Sequence, residues 1–275
     1  MNIMDIKELS LQIEEEIKQF SRTCIIRPSL ATIDVGNDPV NKKFVKAIES
    51  ACNRVGIYFR YHDFEEDTPE LTIINKIKEL NNDDYVNGVM INLPLPIKYN
   101  EKRLLNTIIN SKDIDGLTDI NIGRLISGRK TIIPCAAQGI MELFKYYNIQ
   151  LESKEIVIVG NSKLITRPLM NILLKEGATV TVCNSKTIDL KKHTIESDII
   201  ISAVGEKNLI TDDMVREDAI VIDAGISIED DKIYGDVDFD KVSKKVSLIT
   251  PIGGVGMMTV AMALRNTIFC YNNKK

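Results

Sequence analysis

The stretch Glu155-Ile156-Val157-Ile158-Val159-Gly160-Asn161-Ser162 decides the fold. Its run of β-branched residues predicts a buried strand of a parallel sheet. Gly160 then ends the strand in a turn, and residues 164–176 have the pattern of a helix. Domains with a strand, a glycine turn and a helix in this order bind the phosphate groups of a dinucleotide at the N-terminus of the helix. The stretch therefore predicts a Rossmann-type dinucleotide-binding domain.

The turn lacks the full G-x-G-x-x-G pattern of such domains. Gly160 stands alone, and Ser162 and Thr166 occupy later positions of the turn. We expect Gly160, Asn161 and Ser162 to bind the cofactor, because the helix start offers free amides and Ser162 adds a hydroxyl.

Short β-rich runs alternate with longer helical patterns in both halves of the chain. The first half has expected strands at residues 30–35, 57–61 and 88–93, separated by helical patterns at residues 40–55 and 70–80. The second half repeats the scheme, with strands expected at residues 155–159, 179–183, 198–204 and 219–226. Such alternation is typical of parallel sheets with helical crossovers, so we expect two α/β domains flanking a cleft.

The predicted domain boundary lies in the turn-rich segment 113–128, because a helical pattern at residues 137–147 leads into the second sheet. Residues 257–270 form an apolar helical pattern with no strand behind it, so this helix is expected to return to the first domain. We therefore predict a first domain of residues 1–119 plus 257–275, and a dinucleotide-binding domain of residues 120–256.

Composition points to a soluble enzyme, with 44% hydrophobic and 27% charged residues in 275. A net charge of -4 provides no basic field for nucleic acid. No apolar run reaches the roughly 18 residues of a membrane helix, and the N-terminus lacks the pattern of a signal peptide. The five cysteines are scattered without a C-x-x-C pair, and the two histidines lack metal-ligand spacing. We expect a cytoplasmic protein without a metal.

The end of the expected strand 179–183 bears on cofactor choice. Asn184-Ser185-Lys186 follows it, where an NAD-binding domain places a carboxylate for the ribose diol. Ser185 and Lys186 leave room for a 2′-phosphate and supply a donor and a positive charge, which favours NADP. The alternative is a solvated turn without a role in binding, and NAD remains possible.

Further landmarks lie in order along nearly the whole chain. They are Gly36-Asn37-Asp38-Pro39, Asn92-Leu93-Pro94-Leu95-Pro96, Lys112-Asp113-Ile114-Asp115-Gly116, Pro134-Cys135 and Gly253-Gly254-Val255-Gly256. Each fragment is short, but their order and spacing are specific. Together with the glycine turn they resemble the methylenetetrahydrofolate dehydrogenase/methenyltetrahydrofolate cyclohydrolase family, the bifunctional FolD-type enzymes.

The resemblance implies a homodimer whose cleft binds tetrahydrofolate beside NADP. Such enzymes oxidise 5,10-methylenetetrahydrofolate by hydride transfer and then hydrolyse the methenyl product to 10-formyltetrahydrofolate. Asp115 matches the aspartate that contacts the pterin, and Asn92 stands where a glutamine usually supports a catalytic lysine. The remaining implied positions are Ile252, Gly253 and Gly254 beside folate, and Gly160, Ser162, Ser185 and Ile226 beside the cofactor.

Two replacements interrupt the resemblance. Phe44 stands where the family usually has tyrosine and Ile48 where it usually has lysine, four residues apart on one helix face. Neither side chain can donate or accept a proton. Lys46 points elsewhere on the helix, and Lys42 and Lys43 are expected to be solvated surface charges.

The replacements affect the two half-reactions unequally. Hydride transfer depends mainly on holding two ligands in register, whereas hydrolysis of the methenyl bridge needs proton transfer. We therefore expect the dehydrogenase to persist and the cyclohydrolase to be weak or absent. The alternatives are a non-catalytic folate- or nucleotide-binding paralogue and, third, another Rossmann oxidoreductase resembling shikimate dehydrogenase.

Overall fold

A computed structural model describes residues 2–230 and 232–273 and divides the chain into two compact units. The first unit holds residues Leu11–Cys135 and the chain from Val260 onward; the second holds the chain up to Ser10 and residues Ala136–Thr259. Both units are α/β with parallel sheets, as predicted. These limits differ from the predicted boundaries at residues 119/120 and 256/257, and the division into folding domains stays a prediction.

The first unit is built on a three-stranded parallel sheet with the order β2-β1-β3. Its strands are β1 (Ser29–Val35), β2 (Tyr58–Phe64) and β3 (Gly88–Ile91). The helices that precede Cys135 are α1 (Ile6–Thr23), whose first turn belongs to the second unit, α2 (Pro39–Val55), α3 (Glu70–Asn82), α4 (Glu101–Leu105) and α5 (Asp119–Ile126). Every residue of β1 is buried, so the central strand forms the core of the unit.

Helix α2 has clear start and stop signals. The Asp38 carboxylate accepts hydrogen bonds from the amides of Val40 and Asn41, and Pro39 occupies the first turn, where no amide is needed. Gly56 ends the helix with a φ of 81°, a conformation that glycine adopts without steric cost. One stripe of the helix is buried on the core: Asn41, Val45, Ile48, Ala51, Cys52 and Val55.

The second unit is built on a five-stranded parallel sheet with the order β10-β7-β6-β4-β5. In chain order its elements are α6 (Cys135–Tyr146), β4 (Glu155–Val159), α7 (Thr166–Lys175), β5 (Thr179–Cys183), α8 (Leu190–Thr194), β6 (Ile199–Ser202), β7 (Ile220–Asp223), the antiparallel pair β8 (Ser227–Glu229) and β9 (Lys232–Tyr234), α9 (Phe239–Val242) and β10 (Leu248–Ile249). Helix α10 (Gly254–Asn272) follows.

Several expected elements differ from the structure: β2 runs on to Phe64, beyond the expected end at residue 61, and β3 and β6 stop two residues before their expected ends at 93 and 204. Residues 219–226 do not form one strand, because β7 stops at Asp223. The Asp223 carboxylate accepts the backbone amides of Gly225, Asp236 and Val237. Helix α10 begins at Gly254, three residues before the expected start at Met257. Glycine carries little helix propensity, so the sequence pattern did not extend the helix over Gly254-Val255-Gly256.

The strand order of each sheet marks where a ligand can bind. In an open parallel sheet, ligands bind at the carboxyl ends of neighbouring strands whose connections run in opposite directions. That point lies between β1 and β3 in the first unit and between β4 and β6 in the second. Among the described residues, no helix combines the length and apolar character needed to cross a membrane.

Candidate active site

Phe44 and Ile48 lie on α2 in different surroundings. Ile48 is 0% exposed and belongs to the stripe that packs on the core, whereas Phe44 is only partly buried. Neither residue offers a group that could transfer a proton.

Lys42, in the first turns of the same helix, is not the solvated surface charge that the sequence suggested. Its ammonium donates to Tyr61 Oη at 2.9 Å, to Asp34 Oδ2 at 3.1 Å and to the Asp63 carboxylate. Burial opposes its charge, but hydrogen bonds to Asp63, Tyr61 and Asp34 outweigh that effect and raise the pKa of Lys42. All three of its N–H donors are committed within the protein.

Asp34 connects this lysine to Asn92. Asp34 lies near the carboxyl end of β1 and is 1% exposed, and it accepts a hydrogen bond from Tyr61 Oη at 3.1 Å. Asn92 follows β3 and donates through Nδ2 to Asp34 Oδ1 at 3.3 Å. The amide of Asn92 is thus oriented by a carboxylate, and its buried Oδ1 has no partner among the described residues.

The three charged residues of the segment Lys112-Asp113-Ile114-Asp115-Gly116 have different hydrogen-bond partners and different roles. Lys112 donates to three backbone carbonyls at the C-terminus of α3, at 2.8–2.9 Å. Asp113 is 1% exposed and accepts the Thr118 amide and the Asn121 side-chain amide, at 2.8 and 2.9 Å. Asp113 is therefore a structural carboxylate that orders the following loop.

Asp115 is the carboxylate of this segment that remains available. Its side chain is partly exposed, it accepts a long hydrogen bond of 3.4 Å from the Cys135 amide, and the Cys135 thiol is a second hydrogen-bond neighbour. Desolvation, followed by repulsion from Asp113, raises the pKa of Asp115 to about 6. Gly116, with a φ of 63°, holds the turn; a Cβ there would lie 2.6 Å from Ile132 O. Asp115 can thus accept donors from a ligand, and its charge changes near neutral pH.

The turn between β4 and α7, residues 160–165, is called the nucleotide turn. It follows β4, as predicted, but most of its amides already donate to acceptors within the protein. Ser162 Oγ accepts the amides of Leu164 and Ile165 at 3.1 and 3.3 Å, and the Ser162 amide donates to Thr166 Oγ1. The helix start therefore offers fewer free amides than expected. The Ser162 hydroxyl can still donate its proton to a phosphate oxygen.

An arginine that the sequence analysis did not single out lies beside this turn. Arg167, exposed at the start of α7, donates from Nε to Asn161 Oδ1 at 3.5 Å. Its position could have been noticed in the sequence, because Arg167 lies near the start of the helix that follows the glycine turn, where a cation can bind a phosphate.

The turn after β5 is closed by its own polar side chains. Asn184 Oδ1 accepts the Lys186 amide at 2.9 Å, and Thr187 Oγ1 accepts the Asn184 amide at 2.9 Å. Ser185 and Lys186 are exposed at this turn, and within the described part of the chain neither side chain has a hydrogen-bond or ion-pair partner. An ammonium and a hydroxyl are therefore free to bind an anion there.

The remaining predicted residues of the second unit lie near its strand ends. Ile226 is 38% exposed, between β7 and β8, and Ile252 is 41% exposed, between β10 and α10. Gly253 has a φ of 76°, and Gly254 packs so closely that a Cβ would collide with Ile6. The glycine pair is thus required by the turn that starts α10.

Known families and proteins match this chain over almost its whole length. Residues 4–115 match the family model of the tetrahydrofolate dehydrogenase/cyclohydrolase catalytic domain, and residues 134–275 match its NAD(P)-binding domain. The "Bifunctional protein FolD" of Campylobacter jejuni is 45% identical over 280 residues, covering 100% of this chain and 99% of that protein.

Solved structures give the same assignment. The crystal structure of a FolD dehydrogenase/cyclohydrolase from Campylobacter jejuni has a TM-score of 0.95 and 43% identity, covering 99% of each chain. The enzyme from Trypanosoma brucei, in complex with NADP cofactor and inhibitor, has a TM-score of 0.95 and 28% identity, covering 98% of this chain and 97% of that one. The chain therefore belongs to the tetrahydrofolate dehydrogenase/cyclohydrolase family.

Proposed function

We propose that this chain is an NADP-dependent methylenetetrahydrofolate dehydrogenase whose cyclohydrolase step is weak or lost. The observation that carries the proposal is the state of helix α2. Phe44 and Ile48 occupy the family's tyrosine and lysine positions, and Ile48 is 0% exposed. The helix thus presents no proton-transfer group at either position.

Lys42 does not replace the missing lysine. A general base needs a neutral amine, whereas hydrogen bonds to Asp63, Tyr61 and Asp34 hold the Lys42 side chain in its charged form. A general acid needs an N–H aimed at the substrate, whereas those three partners use every N–H donor. Without a positioned acid or base, hydrolysis loses a factor of about 10²–10⁴.

The hydride step makes smaller demands on the protein. The hydride passes between carbon atoms of the two ligands, so the protein needs to bind and orient them. Asp115 supplies a carboxylate for the N–H donors of the pterin. Ser162, Ser185 and Lys186 supply donors for the phosphates of NADP, whose extra 2′-phosphate suits the unpaired ammonium of Lys186. The cofactor supplies the hydride acceptor.

One assay tests the proposal. Purified protein is mixed with 5,10-methylenetetrahydrofolate and either NADP or NAD, and the absorbance of methenyltetrahydrofolate is followed as it forms and as it decays. The expected result is formation with NADP and decay at the spontaneous rate. Decay well above the spontaneous rate would show that the cyclohydrolase persists, and no formation with either cofactor would exclude the dehydrogenase.

The likeness to the family also supports a cytoplasmic homodimer. Sedimentation equilibrium of the purified chain tests the oligomeric state, with twice the chain mass of 30.9 kDa as the expected value. A mass equal to that of one chain at all concentrations would exclude the dimer.

A further inference from the structure

Asp236 is a buried carboxylate that neither the hydride step nor the hydrolysis uses. It is 0% exposed and follows β9 in the second unit. Its Oδ2 accepts Ser202 Oγ and the Val204 amide, each at 2.7 Å, and its Oδ1 accepts the amides of Gly205 and Glu206 at 2.8 and 2.9 Å. Three loop amides and one hydroxyl at the end of β6 therefore converge on a single carboxylate.

Asp236 is itself held by the end of β7. Its amide donates to Asp223 Oδ1 at 3.0 Å, and the next amide, of Val237, donates to Asp223 Oδ2 at 3.1 Å. The two carboxylates fit because glycines face them: a Cβ at Gly225 would collide with Asp236, and one at Gly235 would collide with Asp223. The backbone is thus shaped around both carboxylates.

The loop that Asp236 holds, residues 203–206, borders the nucleotide turn. It follows β6, whereas the turn follows β4, and the ligand-binding point of this sheet lies between those strands. Gly160 has a φ of 125°, and a Cβ there would lie 2.5 Å from Ala203 O. The backbone of the loop therefore sets the position of the turn.

The same loop also meets the second predicted cofactor position. A Cβ on Gly205 would lie 3.2 Å from Ile226 O. Val204 and Ile226 are 45% and 38% exposed, so apolar surface is left open on two sides of Gly205. Exposed apolar side chains at this end of a parallel sheet can cover a flat ring of the cofactor.

We propose that Asp236 is a positioning residue for the dinucleotide: it fixes loop 203–206 so that Gly160 and Ile226 keep the spacing that the cofactor needs. Asp236 does not touch the cofactor, because all four of its hydrogen bonds go to protein donors. The proposal rests on the proposed function, since it takes NADP as the ligand of this unit.

Asparagine cannot replace this carboxylate. An asparagine side chain has one acceptor oxygen, so in the Asp236→Asn variant it would accept from one pair of donors and turn its NH₂ group toward the other pair. If the NH₂ group faces Ser202 and Val204, Ser202 Oγ can accept from it but the Val204 amide loses its acceptor. In the other orientation the amides of Gly205 and Glu206 lose theirs, and hydrogen bonds to charged acceptors are among the stronger ones. The loop would shift rather than leave them unpaired.

The test compares Asp236→Asn with Asp238→Asn as a matched control in the full-length protein. Asp238 lies two residues away, and among the described residues its side chain pairs with Lys241 alone, at 2.9 Å, so its substitution leaves the loop intact. Calorimetry measures the Kd for NADP and, separately, for tetrahydrofolate, and steady-state kinetics gives KM and kcat. Ser202→Ala serves as a second, milder variant because it removes one of the four donors.

We expect Asp236→Asn to weaken NADP binding about tenfold, which corresponds to ~1.4 kcal/mol, with tetrahydrofolate binding within about twofold of wild type. The KM for NADP should rise more than kcat falls, and Ser202→Ala should weaken NADP binding by a smaller factor. Asp238→Asn should bind NADP like the wild type.

NADP affinity unchanged in a folded Asp236→Asn variant would overturn the inference, as would equal losses for NADP and tetrahydrofolate. If Asp236→Asn does not fold, unchanged NADP affinity in Ser202→Ala overturns it. Failure of the wild-type protein to bind NADP is a different result, because it excludes the proposed function itself.

Discussion

Lys42 Nζ lies 3.1 Å from Asp34 Oδ2, so the lysine at the start of α2 neutralises a carboxylate that is 1% exposed in the central strand. This pair separates two roles that a lysine on this helix could have. An ammonium that stabilises buried Asp34 and exposed Asp63 cannot also shuttle protons. The helix therefore retains a cation for structure while its position 48 holds an apolar core residue.

Replacing the cation is expected to destabilise the protein strongly. Lys42→Met leaves Asp34 buried without its ammonium partner, which costs about 3 kcal/mol of the free energy of unfolding. Urea unfolding followed by circular dichroism measures the change. Lys43→Met is the matched control, since the neighbouring lysine is exposed, and it should stay within about 0.5 kcal/mol of wild type.

The double variant Asp34→Leu with Lys42→Met should recover most of that loss. A buried ion pair can be exchanged for apolar side chains at little cost once both charges are gone. A single Lys42→Met variant as stable as wild type would show that the pair contributes nothing to stability.

Restoring the family's pair is expected to restore hydrolysis at the expense of stability. Phe44→Tyr with Ile48→Lys should accelerate methenyltetrahydrofolate hydrolysis about 10²-fold over wild type, because a proton-transfer group returns. Position 48 is 0% exposed, so the introduced amine loses hydration and the free energy of unfolding falls by a few kcal/mol, on the order of 3.

Ile48→Met is the control for that variant. It keeps an apolar side chain of similar volume, so it should change stability by less than about 1.5 kcal/mol and leave hydrolysis at the wild-type level. A folded double variant that hydrolyses no faster than wild type would show that the lost step has another cause than the missing proton donor.

Asp115 is expected to give the dehydrogenase an acidic limb in its pH profile. Its pKa is raised to about 6, first by desolvation and then by Asp113, and only the ionised carboxylate accepts two donors from a pterin. The KM for methylenetetrahydrofolate should therefore rise as the pH falls through about 6. Asp115→Asn should raise this KM at every pH and abolish that limb.

The same group should affect stability with the opposite trend. A carboxyl whose folded pKa is raised contributes stability that is present below its unfolded pKa and is lost as the pH rises through about 6. Asp115→Asn should therefore be more stable than wild type at about pH 8, by up to ~2 kcal/mol, and equal to it near pH 4. If Asp115→Asn has the stability of wild type at both pH values, the pKa of Asp115 is not raised.

The sequence predicted those parts of the fold that depend on local patterns. The strands at residues 155–159 and 179–183 match β4 and β5 at both ends, since β-branched runs there stop at Gly160 and at Asn184. Asp34, the one charged residue of β1, was the available signal for the ion pair with Lys42. The sequence could not identify Lys42 as the partner of Asp34. The arrangement depends on the register of β1 and β2, which places Asp34 opposite Asp63 and is a long-range property of the sheet.

Within the site, motif positions were easier to predict than their hydrogen bonds. The resemblance singled out Asp115 and the turn at Gly160, but the residue pattern by itself did not show that Asp113 is the structural carboxylate of the segment. That distinction depends on Thr118 and Asn121, which turn back toward Asp113. The role of Asp236 depends on four donors that lie 30–34 residues away along the chain.

Gly160→Ala is expected to weaken both the fold and cofactor binding. The residue has a φ of 125°, and the added Cβ would lie 2.5 Å from Ala203 O, so the turn must move. We expect a loss of about 2 kcal/mol in the free energy of unfolding together with weaker NADP binding. Gly123→Ala is the control: no atom lies within 4 Å of its added Cβ in α5, and it should gain about 0.5–1 kcal/mol. A Gly160→Ala variant with wild-type stability would show that the turn tolerates a side chain.

Lys186→Gln is expected to change cofactor preference rather than activity in general. The Lys186 ammonium is exposed at the turn after β5, next to Ser185, and only NADP carries a 2′-phosphate that it could bind. Loss of one charge-assisted contact should raise the KM for NADP about tenfold while the KM for NAD stays within about twofold. Lys192→Gln, at another exposed lysine of the same unit, should change neither value. Equal increases for both cofactors in Lys186→Gln would place the lysine at a group that NAD and NADP share, and an unchanged KM for NADP would make the turn a solvated one.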